Sequence, residues 1–220
     1  MAVLAGALAV PAFAGVVVYE KDGKKVEVGG RIQLQYRNID GESDDSFDRV
    51  FFRRLRPYLA GTVTENWFGK IQFDFGESED ADEVQVKDAY LQFLGKKRHK
   101  LTIGNSKSVF SREFLTSSTK LQIIERGFAG SHNFGVPDRQ MGIRYDGQNE
   151  SRKVTWGAVL GAQHHDPAIN RMDFDTPANN QSDWNQGLVI AARIDLHPLG
   201  YLKFDRGDFN SDEWRYNISA

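Results

Sequence analysis

The chain has 220 residues, a net charge of −2, no cysteine and 26% charged residues. Its mean hydropathy is −0.50, and no run of 18 or more apolar residues occurs, which excludes a helical membrane protein. The lack of cysteine excludes disulfide frameworks, cysteine-containing zinc sites and thiol catalysis. The balanced charge gives no reason to expect nucleic-acid binding. No linker or shift in composition divides the chain, which predicts a single domain.

The two ends of the sequence predict a cleaved signal peptide at the N-terminus and a barrel domain that is not complete at the C-terminus. Ala12-Phe13-Ala14 before Gly15 matches a signal-peptidase site, although no Lys/Arg-rich segment precedes it. We therefore interpret residues 1–14 as the remnant of a signal peptide that starts further upstream; the alternative is a flexible Ala-rich terminus. The chain stops directly after the candidate strand near residues 213–219, so we expect residues 15–220 to be the N-terminal part of a larger barrel domain.

The segment from Arg31 to Arg37 alternates between two kinds of side chain. Its odd positions are arginine or glutamine, and its even positions are Ile32, Leu34 and Tyr36. Side chains on a β-strand point to opposite faces with a period of two residues. The pattern therefore predicts a strand with one apolar face and one charged or polar face.

Similar alternation recurs along the chain. It predicts strands near residues 26–37, 50–63, 67–75, 84–94, 100–105, 139–146, 153–163, 187–197, 201–206 and 213–219. A repeated apolar face opposite a charged face suits a sheet with lipid on one side and water on the other. We predict an all-β fold: an antiparallel transmembrane β-barrel, with about ten strands in this chain and no long helix.

The connections between these strands alternate in length. Short turns predicted at 64–66, 95–99, 147–152 and 198–200 alternate with longer loops, of which 106–138 is the longest. Outer-membrane barrels have short turns at one end and long loops at the other. The first two long loops are acidic, which predicts a solvated surface or, alternatively, bridging of calcium or lipopolysaccharide.

Basic side chains are frequent on the predicted polar faces. They are Arg31, Arg37, Arg54, Arg56, Lys70, Arg144 and Arg193, against the acids Asp74, Asp88 and Asp195. A positive, water-filled interior concentrates anions, and the guanidinium group matches phosphate oxygens. The alternative is that these arginines and aspartates pair and simply stabilise the wall.

A set of short motifs, in matching order over residues 25–197, resembles a known family. The motifs are Gly29-Gly30-Arg31-Ile32-Gln33, Phe52-Arg53-Arg54, Trp67 with Asp74, Asp88-Ala89, Leu101-Thr102-Ile103-Gly104, Glu113-Phe114-Leu115-Thr116-Ser117-Ser118 and Glu125-Arg126. They resemble the phosphate- and polyphosphate-selective porins O and P. The resemblance implies a sixteen-stranded barrel, of which this chain is the front part, in a homotrimer whose third loop folds inward and narrows the pore.

The resemblance also implies an anion path lined by arginines, with a binding zone in the constriction. Carried over by position, the pore-lining or anion-binding residues are Arg31, Arg53, Arg54, Asp88, Ser117, Ser118 and Arg126. Phe114 departs from the family, because the phosphate-selective members have a lysine at this place. We expect Arg126 and Arg54 to meet at the constriction; alternatively, Arg126 pairs with Glu125 or Asp88 and anchors the loop.

The predicted function is an outer-membrane porin, a passive diffusion channel that prefers anions such as phosphate or polyphosphate. Its expected partners are anionic solutes, outer-membrane lipid, lipopolysaccharide and two further copies of the chain. We expect no enzymatic activity, cofactor or metal: Gly-x-Ser-x-Gly is absent, and neighbours such as His164 and His165 point to opposite sides of a strand. The competing interpretation is an envelope β-domain with a structural or ligand-binding role but no channel.

Overall fold

A computed structural model describes residues 15–39, 47–76, 84–120, 126–127, 139–162, 164–166, 171–173, 188–203 and 213–220, with backbone alone at 39, 47, 164–166 and 171–173. Fourteen strands are described: β1 (Val16–Lys21), β2 (Lys24–Gly29), β3 (Ile32–Ile39), β4 (Phe47–Leu55), β5 (Tyr58–Thr64), β6 (Trp67–Asp74), β7 (Gln85–Phe93), β8 (His99–Lys107), β9 (Arg139–Gln148), β10 (Val154–Ala162), β11 (His164–Asp166), β12 (Arg171–Asp173), β13 (Leu188–Leu196) and β14 (Ile218–Ser219). Between β8 and β9 lie one helical turn, α1 (Arg112–Leu115), and a 3₁₀ turn (Ser118–Lys120).

Ten of these strands form one antiparallel sheet. Its order is β1-β2-β5-β6-β7-β8-β9-β10-β13-β14. The β3–β4 pair continues the β2–β5 pair. One break, at residues 30–31, lies between β2 and β3, and the other, at residues 56–57, lies between β4 and β5. Across these breaks Arg31 and Arg56 exchange backbone hydrogen bonds of 3.1 and 2.8 Å. The predicted strands 26–37 and 50–63 are therefore present, each interrupted once, and the antiparallel all-β prediction is confirmed.

The two faces of the sheet carry opposite kinds of side chain. Large apolar side chains are exposed on one face, among them Ile32, Leu59, Ile71, Leu91, Ile103, Ile143, Leu160 and Ile190. The buried residues of the other face are mostly polar or charged, including Gln35, Arg54, Asp74, Asp88, Thr102, Arg139, Gln140 and Asp195. This arrangement is the reverse of a soluble sheet, which exposes its polar face. It fits a sheet whose apolar face meets lipid.

The segment after β8 folds across the polar face. Ser118 accepts a hydrogen bond from Arg31, although β5, β6 and β7 lie between β8 and that arginine in the sheet. Arg112 of α1 donates a 2.7 Å hydrogen bond to the carbonyl of Lys203, which follows β13. Val109 and Phe114 of the segment are buried. The described part of the predicted third loop therefore folds inward, across the polar face.

The strand boundaries differ from prediction at the two ends of the chain. β1 was not predicted, nor was the β11–β12 hairpin. Residues 201–203 are not in a strand, and residues 213–217 do not join β14, so the two last predicted strands are wrong over those residues. Residues 1–14 and most acidic residues of the first two long loops lie outside the described part of the chain.

A β-bulge separates Phe52 from Arg54. In the β3–β4 pair, Gln33 faces Arg54 and Leu34 faces Phe52, so Arg53 is an extra residue. Without the bulge, residues two apart would share a face. With it, Phe52 is 45% exposed on the apolar face while Arg54 is 3% exposed on the polar face. The bulge therefore brings Arg54 into the interior.

Candidate functional site

Four arginines form a cluster on the polar face where β2 meets β3 and β4 meets β5. Arg31 and Arg56 face each other through their backbone hydrogen bonds. The positive charges of Arg56, Arg54 and Arg126 all act on the Arg31 guanidinium, and Asp74 supplies an opposing negative charge. Like charges this close are unfavourable on their own. A passing anion would relieve their repulsion.

Arg31 has donors to spare within the described part of the chain. Its Nη1 donates a 2.8 Å hydrogen bond to Ser118 Oγ. Its Nε and Nη2 are buried and find no hydrogen-bond partner within the described part of the chain. Leaving a buried, charged donor unsatisfied is costly, so these two N–H groups would gain from an anionic acceptor.

Arg54 and Arg56 are held by neighbours on the wall. Arg54 Nη1 donates to Gln33 Oε1 at 2.8 Å. Arg56 Nε lies 2.6 Å from Asp74 Oδ2, and Asp74 Oδ1 accepts from the backbone N–H groups of Leu55 and Gly76. These contacts fix the side chains before any solute arrives, which is the preorganisation that a binding site needs.

Asp88 belongs to a different part of the wall. Lys70 donates to its Oδ2 and Arg139 to its Oδ1, both at 2.7 Å. Both carboxylate oxygens therefore receive a cationic donor. Asp88 stabilises this stretch of wall and holds Lys70 and Arg139 in place.

The two predicted serines have different surroundings. Ser118 contacts Arg31, as described above. Ser117 Oγ is exposed and bonds within its own turn, to Thr119 Oγ1 at 2.9 Å and to the Thr119 N–H at 3.3 Å. Of the two, Ser118 is thus the one that the fold brings to the arginine cluster.

Arg126 bonds to the backbone of the loop. Its Nη2 donates to the Thr116 carbonyl at 3.0 Å and its Nε donates weakly to the Glu113 carbonyl at 3.4 Å. The adjacent Gly127 N–H donates to Glu113 Oε1 at 2.7 Å. These contacts hold Arg126 against the backbone of its own loop, and its charge acts on Arg31 within the cluster; whether it pairs with Glu125 or Asp88 to anchor the loop to the wall stays a prediction. Glu125 lies outside the described residues.

Other predicted basic residues pair with carboxylates. Arg144 binds Asp146 and Arg193 binds Asp195, each pair with a closest contact of 2.6 Å. These contacts agree with the alternative in which charge pairs stabilise the wall for Arg144, Arg193 and Lys70. Arg56 both binds Asp74 and acts on Arg31 within the cluster. Arg37 lies instead over the Phe51 ring, at 5.4 Å.

A cavity of about 720 Å³ opens on the polar face between the wall and the short turns. Three acids line it, Asp88, Asp146 and Asp195. The nine Lys and Arg residues that line it are Lys70, Lys96, Lys97, Arg98, Lys100, Lys107, Arg144, Arg152 and Arg193. The excess of positive charge attracts anions.

The basic residues at the short turns were missed as site residues. The run Lys96-Lys97-Arg98 is visible in the sequence but lies in a predicted turn, where lysine and arginine are ordinary surface residues. The fold brings them to the same cavity as the strand residues. Strand alternation alone could not find them.

Metal-ligating clusters and long apolar helices are both absent from the described residues. The described residues contain no group of three His, Asp or Glu side chains placed to hold a metal ion. The side chains of His164, His165 and Asp166 lie outside the described set. Among the described residues there is no helix of the length and apolar character needed to cross a membrane.

The chain is similar to a known protein and to the model of a protein family. Porin O of Pseudomonas aeruginosa is 29% identical over 147 residues, which are 57% of this chain and 34% of that protein. The chain thus spans about a third of the length of this curated relative. The model of the phosphate-selective porin O and P family matches residues 26–220. These matches confirm the resemblance seen in the sequence and the outer-membrane location. Because the family match covers most of its length, the chain belongs to the family of phosphate-selective porins O and P.

Proposed function

We propose that this chain forms part of an outer-membrane diffusion channel that prefers anions, with the cluster of Arg31, Arg54, Arg56 and Arg126 as its anion-binding zone. The family supports a porin in the outer membrane. The observation that carries the anion preference is Arg31, whose buried Nε and Nη2 lack partners within the described residues.

The chemistry of the cluster suits a small oxyanion. A guanidinium presents two parallel N–H groups that match two phosphate oxygens. An anion entering the constriction loses part of its water, and donors in the wall must replace it without holding the ion too tightly. Arg31 and Ser118 supply charged and neutral donors side by side. Phosphate is the proposed physiological solute class, together with polyphosphate.

The cavity supports the same direction of selectivity. Its nine basic residues against three acids would raise the local anion concentration next to the constriction. The paired arginines of the wall contribute less, because each faces a carboxylate. We propose that the paired charges stabilise the wall and the cluster around Arg31 binds the solute.

The experiment compares Arg31→Gln with Arg37→Gln in the purified porin that contains this chain. Phosphate is titrated against the chloride current in planar bilayers. Arg31→Gln should raise the half-blocking phosphate concentration roughly tenfold, the change that about 1.4 kcal/mol produces. Arg37, over Phe51, should leave it unchanged. Equal block in the Arg31 variant and the wild type would remove the anion site proposed here.

Assembly and lipid contacts are proposed from the family alone. A homotrimer with lipopolysaccharide around its apolar face would bury or cover the exposed aliphatic side chains of the sheet. Mass measurement of the native porin in detergent tests the trimer. A monomeric mass with full channel activity would contradict it.

A further inference from the structure

The C-terminal end of α1 is bracketed by two cations. The last carbonyls of a helix lack partners within the helix and are often capped by lysine or arginine. Here Lys107 Nζ donates to the Phe114 carbonyl at 2.8 Å. Arg126 Nη2 donates to the Thr116 carbonyl at 3.0 Å. The turn thus holds one cation from strand β8 and one from the loop.

The Phe114 ring touches the same two cations. Lys107 Nζ lies 4.9 Å and Arg126 Cζ lies 5.4 Å from its centroid. Both distances fall within about 6 Å, where the ring face attracts a cation. Phe114 is 4% exposed, so its position is fixed by packing. One buried ring therefore holds two positive groups that come from different segments.

These two cations connect the regions proposed to handle anions. Lys107 is among the residues lining the cavity, and its backbone carbonyl accepts a 2.8 Å hydrogen bond from Arg144 Nη1. Arg126 lies close enough to Arg31 for its charge to act there. The Phe114 ring is thus placed between the cavity and the arginine cluster.

We propose that Phe114 is a positioning residue for anion passage, and that Lys107 is a further solute-contacting cation of the pore. This inference rests on the proposed function. A ring face attracts a cation electrostatically, and a carbonyl accepts a hydrogen bond from it, so both groups fix where the positive charge lies. Phe114 would therefore keep both positive charges at a fixed separation, so that an anion leaving one meets the other.

The test uses phosphate block of the chloride current in planar bilayers. Phe114→Leu keeps an apolar side chain but removes the ring. It should raise the half-blocking phosphate concentration about fivefold, the change that about 1 kcal/mol of cation–π attraction produces. Phe114→Tyr retains a ring and should restore wild-type block. Phe110→Leu is the matched control on the same loop, because Phe110 is 49% exposed.

A second pair of variants separates positioning from simple loss of packing. Lys107→Met should weaken phosphate block, while Lys153→Met, at an exposed turn position outside the cavity lining, should not. In the Lys107→Met background, Phe114→Leu should have a smaller effect than in the wild type, because one of its two cations is gone. A purely structural role predicts equal effects in both backgrounds.

The outcomes distinguish the two proposals. A wild-type channel without phosphate block would contradict the proposed function itself. Wild-type block that Phe114→Leu and Lys107→Met leave unaltered would overturn this inference and leave the proposed function standing. A lower half-blocking concentration in Phe114→Leu would also overturn it, because the ring would then restrain the cations from binding the anion.

Discussion

Arg31 and Ser118 are joined by a 2.8 Å hydrogen bond although 87 residues and three strands of the sheet separate them. The bond ties the third loop to the wall on the far side of the polar face. On the opposite side, Arg112 reaches the Lys203 carbonyl. The described part of the loop is thus fastened to the wall at two separate points.

Ser118→Ala should loosen the loop on the Arg31 side. A hydrogen bond to a charged group contributes about 1.5–3 kcal/mol, and its loss also leaves Arg31 Nη1 without this acceptor. We expect larger open-channel current noise and weaker phosphate block. Ser117→Ala is the matched control, because Ser117 is exposed and bonds only within its own turn among the described contacts. Equal noise in both variants would contradict the fastening role of Ser118.

Asp88→Asn should destabilise the wall. Asp88 is buried and binds both Lys70 and Arg139. Removing the charge of one partner in a buried ion pair costs about 3–5 kcal/mol, because it leaves the opposite charge uncompensated. The measurement is the temperature at which the folded porin converts to its heat-denatured form on a gel.

Glu150→Gln is the control for the Asp88 variant. Glu150 pairs with Arg98 at 2.8 Å, but its side chain is 86% exposed. Exposed pairs contribute about 0–1 kcal/mol, so this variant should unfold at nearly the wild-type temperature. A comparable loss in both variants would show that the Asp88 network adds no special stability.

We expect the stability of the protein to depend on pH because the pKa of His197, in the turn after β13, is lowered. Burial lowers the pKa of His197 below its ordinary value of 6.5; Asp195 opposes this, and Arg112, Arg193 and Arg152 lower the pKa further. Above pH 6.5 the ring is neutral in both the folded and the unfolded chain. As the pH falls below that value, the unfolded chain binds the proton first, so the free energy of unfolding decreases.

The local contacts of His197 suggest the test. Its Nδ1 accepts the Leu202 N–H at 3.3 Å, and protonation would abolish that acceptor. His197→Asn keeps an acceptor oxygen, so the decrease in thermal stability between neutral and mildly acid pH should become smaller. His99→Asn, at a half-buried histidine that bonds to Tyr145, should leave the decrease as it is. If His197→Asn loses as much thermal stability between neutral and mildly acid pH as the wild type, His197 is not the source of that loss.

Strand alternation predicted most of the sheet because one face carries apolar side chains and the other carries polar or charged ones. Ile71 and Phe73 face outward while Gln72 and Asp74 face inward, as the period of two requires. The first strand was missed because Val16-Val17-Val18-Tyr19 does not alternate. At the other end, Trp214 to Asn217 has the composition of a strand but no partner strand in the described sheet.

The sequence could place the candidate site residues that lie on regular strands. It could not place those whose position depends on a bulge or on the path of a loop. Arg31 and Ser118, two of the predicted site residues, are in contact, and their role in binding stays a prediction. The bulge at Arg53 leaves no sequence signal, yet it decides that Arg54 faces inward. The contact between Lys107 and Phe114 was also unpredictable, because it depends on how the loop returns to the end of β8.

The sign of ion selectivity tests the central claim most directly. The reversal potential of the wild-type porin is measured in planar bilayers across a gradient of potassium chloride. The cluster around Arg31 and the basic cavity predict a reversal potential close to the chloride equilibrium potential. A reversal potential close to that of potassium would contradict an anion-preferring pore.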